Sequence, residues 1–441
     1  MHKVSGVMLF AVVVAAAASA TAQDREKKVR NDRHSVEEAG FWVYNDLLGG
    51  IAEAKKSGKP LLVTIRCIPC AACAQLDTQI VERDPVVTKL LDQFVCVRIV
   101  HANGLDLSLF QVDYDQSLAA FFLNADGTIY GRYGTRSHET ESDRDVSVEG
   151  FARALEGALE LHRQFPANKP VLAAKRGTAP SFPVPEEFPS LKGRYGSALD
   201  YKGNVVKSCI HCHQVGEALR LVYREKRQAI PELVLYPYPL PETLGLTLDP
   251  KQRARILAVA DGSSAQRDGF QPGDEMTNLS GQPLLSIADV QWVLHNAGDS
   301  RSLKSEVVRS GKKLILPLSL ESDWRRRGDL SWRATSWDLR RMTIGGMRLD
   351  SLSPEDRHTA SLAADVLALR ARHVGQYGAH AAAKNAGFLN GDVLVEVDGK
   401  SDPLTESQLM AWLVNAKRPG DRIPVVIVRD GKRMTLELPM Q

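Results

Sequence analysis

The chain has 441 residues, 44% of them hydrophobic and 25% charged, an ordinary globular composition with room for about two to four domains. Its formal net charge of +3 is too balanced for a nucleic-acid binder, which would need a marked basic excess to release counterions from phosphates. The basic runs "DREKKVRNDRH" (Asp24–His34) and "RRR" (Arg325–Arg327) read as solvated segments.

His2 and Lys3 precede an apolar stretch from Val7 to Ala18, and "ATA" (Ala20–Ala22) offers a small-x-small cleavage site. Residues 1–22 therefore read as an export signal, with the mature chain beginning near Gln23, in the periplasm or secreted. The stretch is shorter than the roughly 20 residues a membrane span needs, and no later segment is apolar enough. No span is expected after cleavage.

From Phe41 to Phe165 helical and strand patterns alternate. "LLGGIAEAKKSGK" has helical spacing, "PLLVTI" reads as a buried strand, and "AQLDTQIVERDPVVTKLLDQ" returns to helix. "FVCVRIV" and "LAAFFLNADGTIYGRY" follow as strands, with "ADG" turning the last pair. This predicts a mixed sheet covered by helices over residues 35–165. Prolines 166, 170, 180, 183, 185 and 189 then mark residues 166–190 as a stiff linker.

Six cysteines stand at 67, 70, 73, 96, 209 and 212, five of them in two tight motifs, which points to chemistry rather than stapling. Cys96 alternates with apolar neighbours and reads as a small buried hydrophobe. "RCIPCAAC" (Arg66–Cys73) follows the strand "PLLVTI" directly. A C-x-x-C redox site wants a strand end, a turn and a helix start, because the helix N-terminus stabilises the nucleophilic thiolate. Two pairs fit by spacing, Cys67–Cys70 and Cys70–Cys73, and the third thiol can relay a disulfide.

Residues 37–165 resemble the thioredoxin-like fold. Laying the family's strand on "PLLVTI" implies Cys70 as the attacking thiol and Cys73 as the resolving one. The same register sets Ala119 where thioredoxins place a cis-proline, which puts substrate docking in question. A retained structural disulfide is the rival reading.

"CIHCH" (Cys209–His213) within residues 191–240 matches the attachment signature of c-type haem: Cys209 and Cys212 for the vinyl groups, His213 for the iron. Four ligating residues within five positions can hardly wrap one tetrahedral zinc ion. No methionine and no further histidine lies in residues 191–240 to serve as a sixth ligand. Haem and a local disulfide both stand as readings.

The second half repeats itself. "DGFQPGDEM" (Asp268–Met276) matches "AGFLNGDVL" (Ala386–Leu394), and "VVRSGKKLILPL" (Val307–Leu318) matches "IVRDGKRMTLELP" (Ile427–Pro439). Glycine loops "TLGLTL" (Thr243–Leu248) and "TIGGMRL" (Thr343–Leu349) precede the copies. Residues 241–322 and 338–441 thus resemble bacterial PDZ domains of the kind appended to exported proteases, the second with an inserted short helix at "SPEDRHTASLAAD". The resemblance implies that the loop N–H groups receive a peptide's C-terminal carboxylate. The residues are Leu244, Gly245 and Leu246, and Ile344, Gly345, Gly346 and Met347. The second copy, with the fuller pattern, is the expected better binder. Loop glycines in domains that merely pack on their neighbours are the alternative. No "GNSGG", "HExxH" or "GxSxG" appears, so no protease accompanies these domains.

In this order the whole chain resembles the thioredoxin-like/PDZ domain-containing (seleno)protein family, some of whose members carry selenocysteine in place of a motif cysteine. The fold class is multidomain, a thioredoxin-like α/β domain followed by two PDZ-like β-sandwich or barrel domains. The resemblance implies an exported thiol–disulfide redox protein tethered through PDZ domains to proteins or peptides with free C-termini. A non-catalytic scaffold and a c-type haem relay are the alternatives.

Overall fold

The computed structural model describes residues 24–66, 68, 84–116, 118–138 and 145–441. The export segment and Cys67, Cys70 and Cys73 lie outside the described residues. The first sheet is built on "PLLVTI". Strand β2 (Leu61–Arg66) is buried at every position, as a strand covered on both faces must be. Around it stand β1 (Val43–Tyr44), β3 (Val95–Ile99), β4 (Leu118–Leu123) and β5 (Ile129–Tyr133), in the order β1-β3-β2-β4-β5. β1, β2 and β3 run parallel, whereas β4 and β5 are antiparallel to their neighbours.

Among the described residues, three helices pack on this sheet. α1 (Leu47–Ser57) is capped by the Asp46 carboxylate and stopped at Gly58 in the left-handed region. α2 (Pro85–Leu91) starts from the Asp84 cap with proline at its first position. α3 (Val148–Arg163), capped by Ser147, buries Phe151, Leu155 and Ala158 against Leu62, Phe122 and Tyr130. Cys96 is a buried β3 residue whose thiol burial pushes far above its ordinary pKa, so it is packing, not chemistry.

Residues 166–190 are not the stiff extended linker the prolines predict. They form short helical turns at Lys169–Leu172, Ala173–Lys175 and Pro185–Glu187, with Leu172, Lys175 and Phe188 buried. Proline at the first turn position starts such turns instead of preventing them. Next comes α4 (Cys212–Glu225), which opens on the second cysteine of "CIHCH".

The two repeats share an order of elements. The first contains β6 (Leu246–Leu248), β7 (Ile256–Val259), β8 (Glu275–Leu279), β9 (Gln282–Pro283), α5 (Ile287–His295), β10 (Ser302–Arg309) and β11 (Lys312–Ser319). α6 (Ser336–Ile344) precedes the second, which contains β12 (Met347–Ser351), β13 (Leu369–Val374), β14 (Val393–Val397), α7 (Glu406–Ala416), β15 (Arg422–Arg429) and β16 (Lys432–Pro439). The insertion forms a helix, Pro354–Thr359, with Ser353 as its cap.

Side chains repeat too. Arg309 forks onto Asp274 at 2.7 Å and reaches the Gly269 carbonyl, while Arg429 forks onto Asp392 at 2.6 and 2.7 Å and reaches the Gly387 carbonyl. The quoted "GD" and "VRxG" matches are therefore one structural pair used twice.

The chain forms two compact units, residues 1–215 with 244–321, and residues 216–243 with 322–441. Segment 191–240, read as a module of its own, is divided between them. Among the described residues no helix is long and apolar enough to cross a membrane.

Candidate functional site

β2 and β3 are parallel, pairing Leu61 with Val95 through to Ile65 with Ile99, so both chains leave the sheet at the same end. The three-cysteine segment leaves β2 there, directly after buried Arg66. Ile68 tucks into a small cluster with Val29, Val100 and Val205. Ala119 lies within β4 opposite Ile65, one residue inside the strand's start at Leu118.

The second cysteine motif is held at this same end. After β3, the Ala102 N–H donates to the Ile210 carbonyl at 2.9 Å, and the Ile210 N–H donates to Asn103 Oδ1 at 2.7 Å. Asn103 Nδ2 donates to the Ser208 and Gly196 carbonyls at 2.9 and 2.7 Å. Asn103 thus stitches residues 208–210 to the end of β3. Sequence patterns gave no sign of that role, because an asparagine in "HANG" reads as turn chemistry.

Cys209 is buried, Cys212 half-buried, and the His211 and His213 rings stack at 5.7 Å with 8° between planes. Burial, aided by the positive charges of His213 and Arg25, pulls the His211 pKa down to about 4. Haem attachment needs both thiols on one open face with the histidine beneath. Here Cys209 is buried beside fully buried Ile210, whose backbone groups are both bonded. The residues as arranged do not fit a haem, and no step below passes through one. Among the described residues no group of three or more His, Cys, Asp or Glu side chains converges to hold a metal ion.

In the first repeat, Leu244 and Leu246 are buried and Gly245 has φ +88°, with a Cβ there meeting Ser263 Cβ at 2.2 Å. The Gly245 carbonyl accepts from the Ala260 N–H. Helix α5 is buried from Ile287 to Leu294 because it also packs on the first sheet. Lys175 Nζ lies 2.7 Å from Asp289 Oδ1 with both side chains essentially unexposed. The Arg132 guanidinium lies 3.7 Å over the Trp292 ring, and Trp292 Nε1 donates to the Ala174 carbonyl. Glycine at 131 permits this approach, since a Cβ there would meet Leu285 Cδ1 at 2.6 Å.

In the second repeat the loop is the end of α6. Gly345 and Gly346, at φ +63° and +83°, both donate their N–H to the Arg340 carbonyl. Ile344 and Met347 are fully buried. Arg340 forks onto Glu406 at 3.0 and 2.7 Å, and Glu406 Oε1 accepts the Leu349 N–H at 2.8 Å.

A thioredoxin-like family model matches residues 42–125, and a PDZ domain model matches residues 376–440. The chain carries both kinds of domain. A probable periplasmic serine endoprotease DegP-like of Pseudomonas putida (strain GB-1) is 31% identical over 81 residues, 18% of this chain and 17% of that protein. A protein of the same description from Pseudomonas savastanoi pv. phaseolicola (strain 1448A / Race 6) is 26% identical over 113 residues, 25% of this chain and 23% of its own. The chain thus matches under a quarter of the length of these relatives. A solved structure titled HtrA-type protease AlgWS227A with decapeptide aligns at 15% identity and a TM-score of 0.23, covering 42% of this chain and 53% of that one.

Proposed function

We propose that this protein is an exported thiol–disulfide redox protein, with residues 35–165 as its redox domain and residues 241–322 and 338–441 as two PDZ domains. The observation that carries the reading is topological. The three-cysteine segment leaves the central strand at the sheet end where the residues after β3 also hold "CIHC". Export agrees with the apolar N-terminal stretch and with relatives described as periplasmic.

In the proposed exchange the Cys70 thiolate attacks one sulfur of a substrate disulfide, forming a mixed disulfide and expelling a substrate thiolate that takes up a proton. The Cys73 thiolate then attacks Cys70 Sγ. This releases the second substrate thiol and leaves a Cys70–Cys73 disulfide, so the substrate gains the two electrons that the pair loses. A dithiol reductant would restore the pair by the reverse exchange.

The test follows turnover of a model protein disulfide with a dithiol reductant present. Cys70→Ser abolishes it, whereas Cys67→Ser keeps at least part. Equal rates for Cys70→Ser and the parent would replace the redox reading with that of a scaffold on a degenerate thioredoxin fold. Partner binding is assigned to the first repeat, through the loop Leu244, Gly245 and Leu246.

A second reading, from the Asn103 stitching, makes Cys209 and Cys212 a further dithiol that exchanges with the first. Intact mass of protein matured in its exported compartment separates this from haem attachment, since a disulfide removes two hydrogens and a haem adds its whole mass.

A further inference from the structure

A peptide bound by strand addition uses two sets of groups: loop N–H donors for its terminal carboxylate, and the edge of the neighbouring strand for its backbone. In the second repeat both sets have internal partners. The Gly345 and Gly346 N–H groups donate to the Arg340 carbonyl. On β12 the Leu349 N–H donates to Glu406, the first residue of α7. We propose that α6 is an internal ligand of this groove, latched by Arg340 and Glu406, and that the repeat takes a peptide C-terminus only when α6 withdraws.

Side-chain packing agrees. Leu339, Met342 and Ile344 of α6 lie in one core cluster with Met347 and Leu349 of β12 and Leu409, Met410 and Leu413 of α7. Helix α6 packs against both α7 and β12, the two walls between which a peptide strand would lie. Arg340 is fully buried, its Nη2 reaches the Ser331 carbonyl at 2.9 Å, and its guanidinium lies 4.8 Å from the Trp337 ring centre. A bidentate arginine–carboxylate pair out of water is a geometrically demanding contact, so it fixes one position of α6. The residue that opens α5 in the first repeat is Ile287, which has no carboxylate to play the part of Glu406.

The consequence is quantitative. A groove open for a fraction of the time binds with its intrinsic affinity weakened by that fraction. Removing the latch without leaving a lone buried charge should release the groove. Replacing a whole buried ion pair by neutral side chains of similar size is often harmless to the fold, whereas removing one partner is not. The inference rests on the second repeat alone and holds whether or not Cys70 exchanges disulfides.

The experiment uses the full mature chain, a hexapeptide ending in a free valine carboxylate, and its amidated twin. Amide hydrogen exchange is read by mass spectrometry over residues 340–350. In the parent these amides are expected to be protected without peptide, and saturating free-acid peptide should leave them unchanged. Arg340→Met/Glu406→Gln should gain peptide-dependent protection in this stretch, at least about tenfold tighter for acid than for amide. Arg340→Lys, which keeps the charge but loses the fork, should gain less. Parent amides at Gly345, Gly346 and Leu349 that exchange freely and become protected by peptide would overturn the proposal. So would a double variant that melts cooperatively yet gains no acid-selective protection. If the double variant does not fold, the parent's exchange decides.

Discussion

His101 lies just past β3, where the chain turns to hold the second cysteine motif. Burial pulls its pKa from the ordinary 6.5 down to about 4, opposed by a backbone hydrogen bond at Asn103. The folded state therefore binds this proton only below about pH 4, whereas the unfolded chain binds it below about 6.5. Between those values the unfolded state holds more protons, so stability falls as pH falls, by up to about 1.4 kcal/mol per pH unit. Urea midpoints taken between pH 7 and pH 4 should decline less steeply for His101→Gln than for the parent. Parallel curves would exclude His101 as a titrating group. At this scale the sequence was legible where residues act locally. That means the burial of Cys96 and the "GD" and "VRxG" positions. Arg340 and Glu406 were not legible, because a charged residue's burial depends on a partner, here 66 residues away in the chain.

α5 and α6 are each engaged by their own chain, in different ways. The second buried face of α5 was not legible in the sequence, since Asp289 and Gln291 look like solvent positions. Asp289 is instead paired with Lys175, from the segment the prolines disguised as a linker. Burial pulls the lysine's pKa down and Asp289 pulls it back up, so its charge depends on that one partner. Lys175→Met alone leaves a buried carboxylate and should cost about 3–5 kcal/mol by urea unfolding of the full chain. Adding Asp289→Asn should recover most of the loss, because the amide oxygen can still accept the Leu285 N–H that the carboxylate now receives. A double variant no more stable than the single one would mean that α5 docks through Trp292 and Arg132 instead. α6 escaped the sequence reading because "WDLRRMTI" runs straight into the glycine loop and reads as its lead-in. Its apolar positions Leu339, Met342 and Ile344 are too few to declare a helix without the walls they pack on.

On the scale of the molecule the two repeats keep the same Asp–Arg fork but differ in the contacts around their loops and helices. The alternation of helix and strand and the internal repeat were enough to place the first sheet and a repeated order of elements after it. They could not rank the copies, because groove occupancy is decided by residues outside the repeated motifs. The fuller pattern favours the second copy as the binder, yet its loop donors already have acceptors in α6. The first copy keeps α5 tied to residues 174 and 175 beside the first sheet through Asp289 and Trp292, so under the proposed function a peptide held by it would lie beside the proposed redox domain. A free-acid apolar peptide is therefore expected to protect amides at Leu244–Leu246 in the parent, with no matching change at Ile344–Met347. Its amidated twin should bind much more weakly, since a neutral amide accepts weaker hydrogen bonds from the loop than a carboxylate. Gly245→Ala should abolish this protection. At φ +88° a side chain is strained, and its Cβ would overlap Ser263, moving the loop that the carboxylate approaches. The matching substitution at Gly346 is a poor test, because a Cβ there would strike the His380 carbonyl at 2.1 Å and disturb the second repeat itself. Equal protection by acid and amide at Leu244–Leu246 would make the first repeat a packing module. Tethering through the first repeat would then drop out of the proposed function.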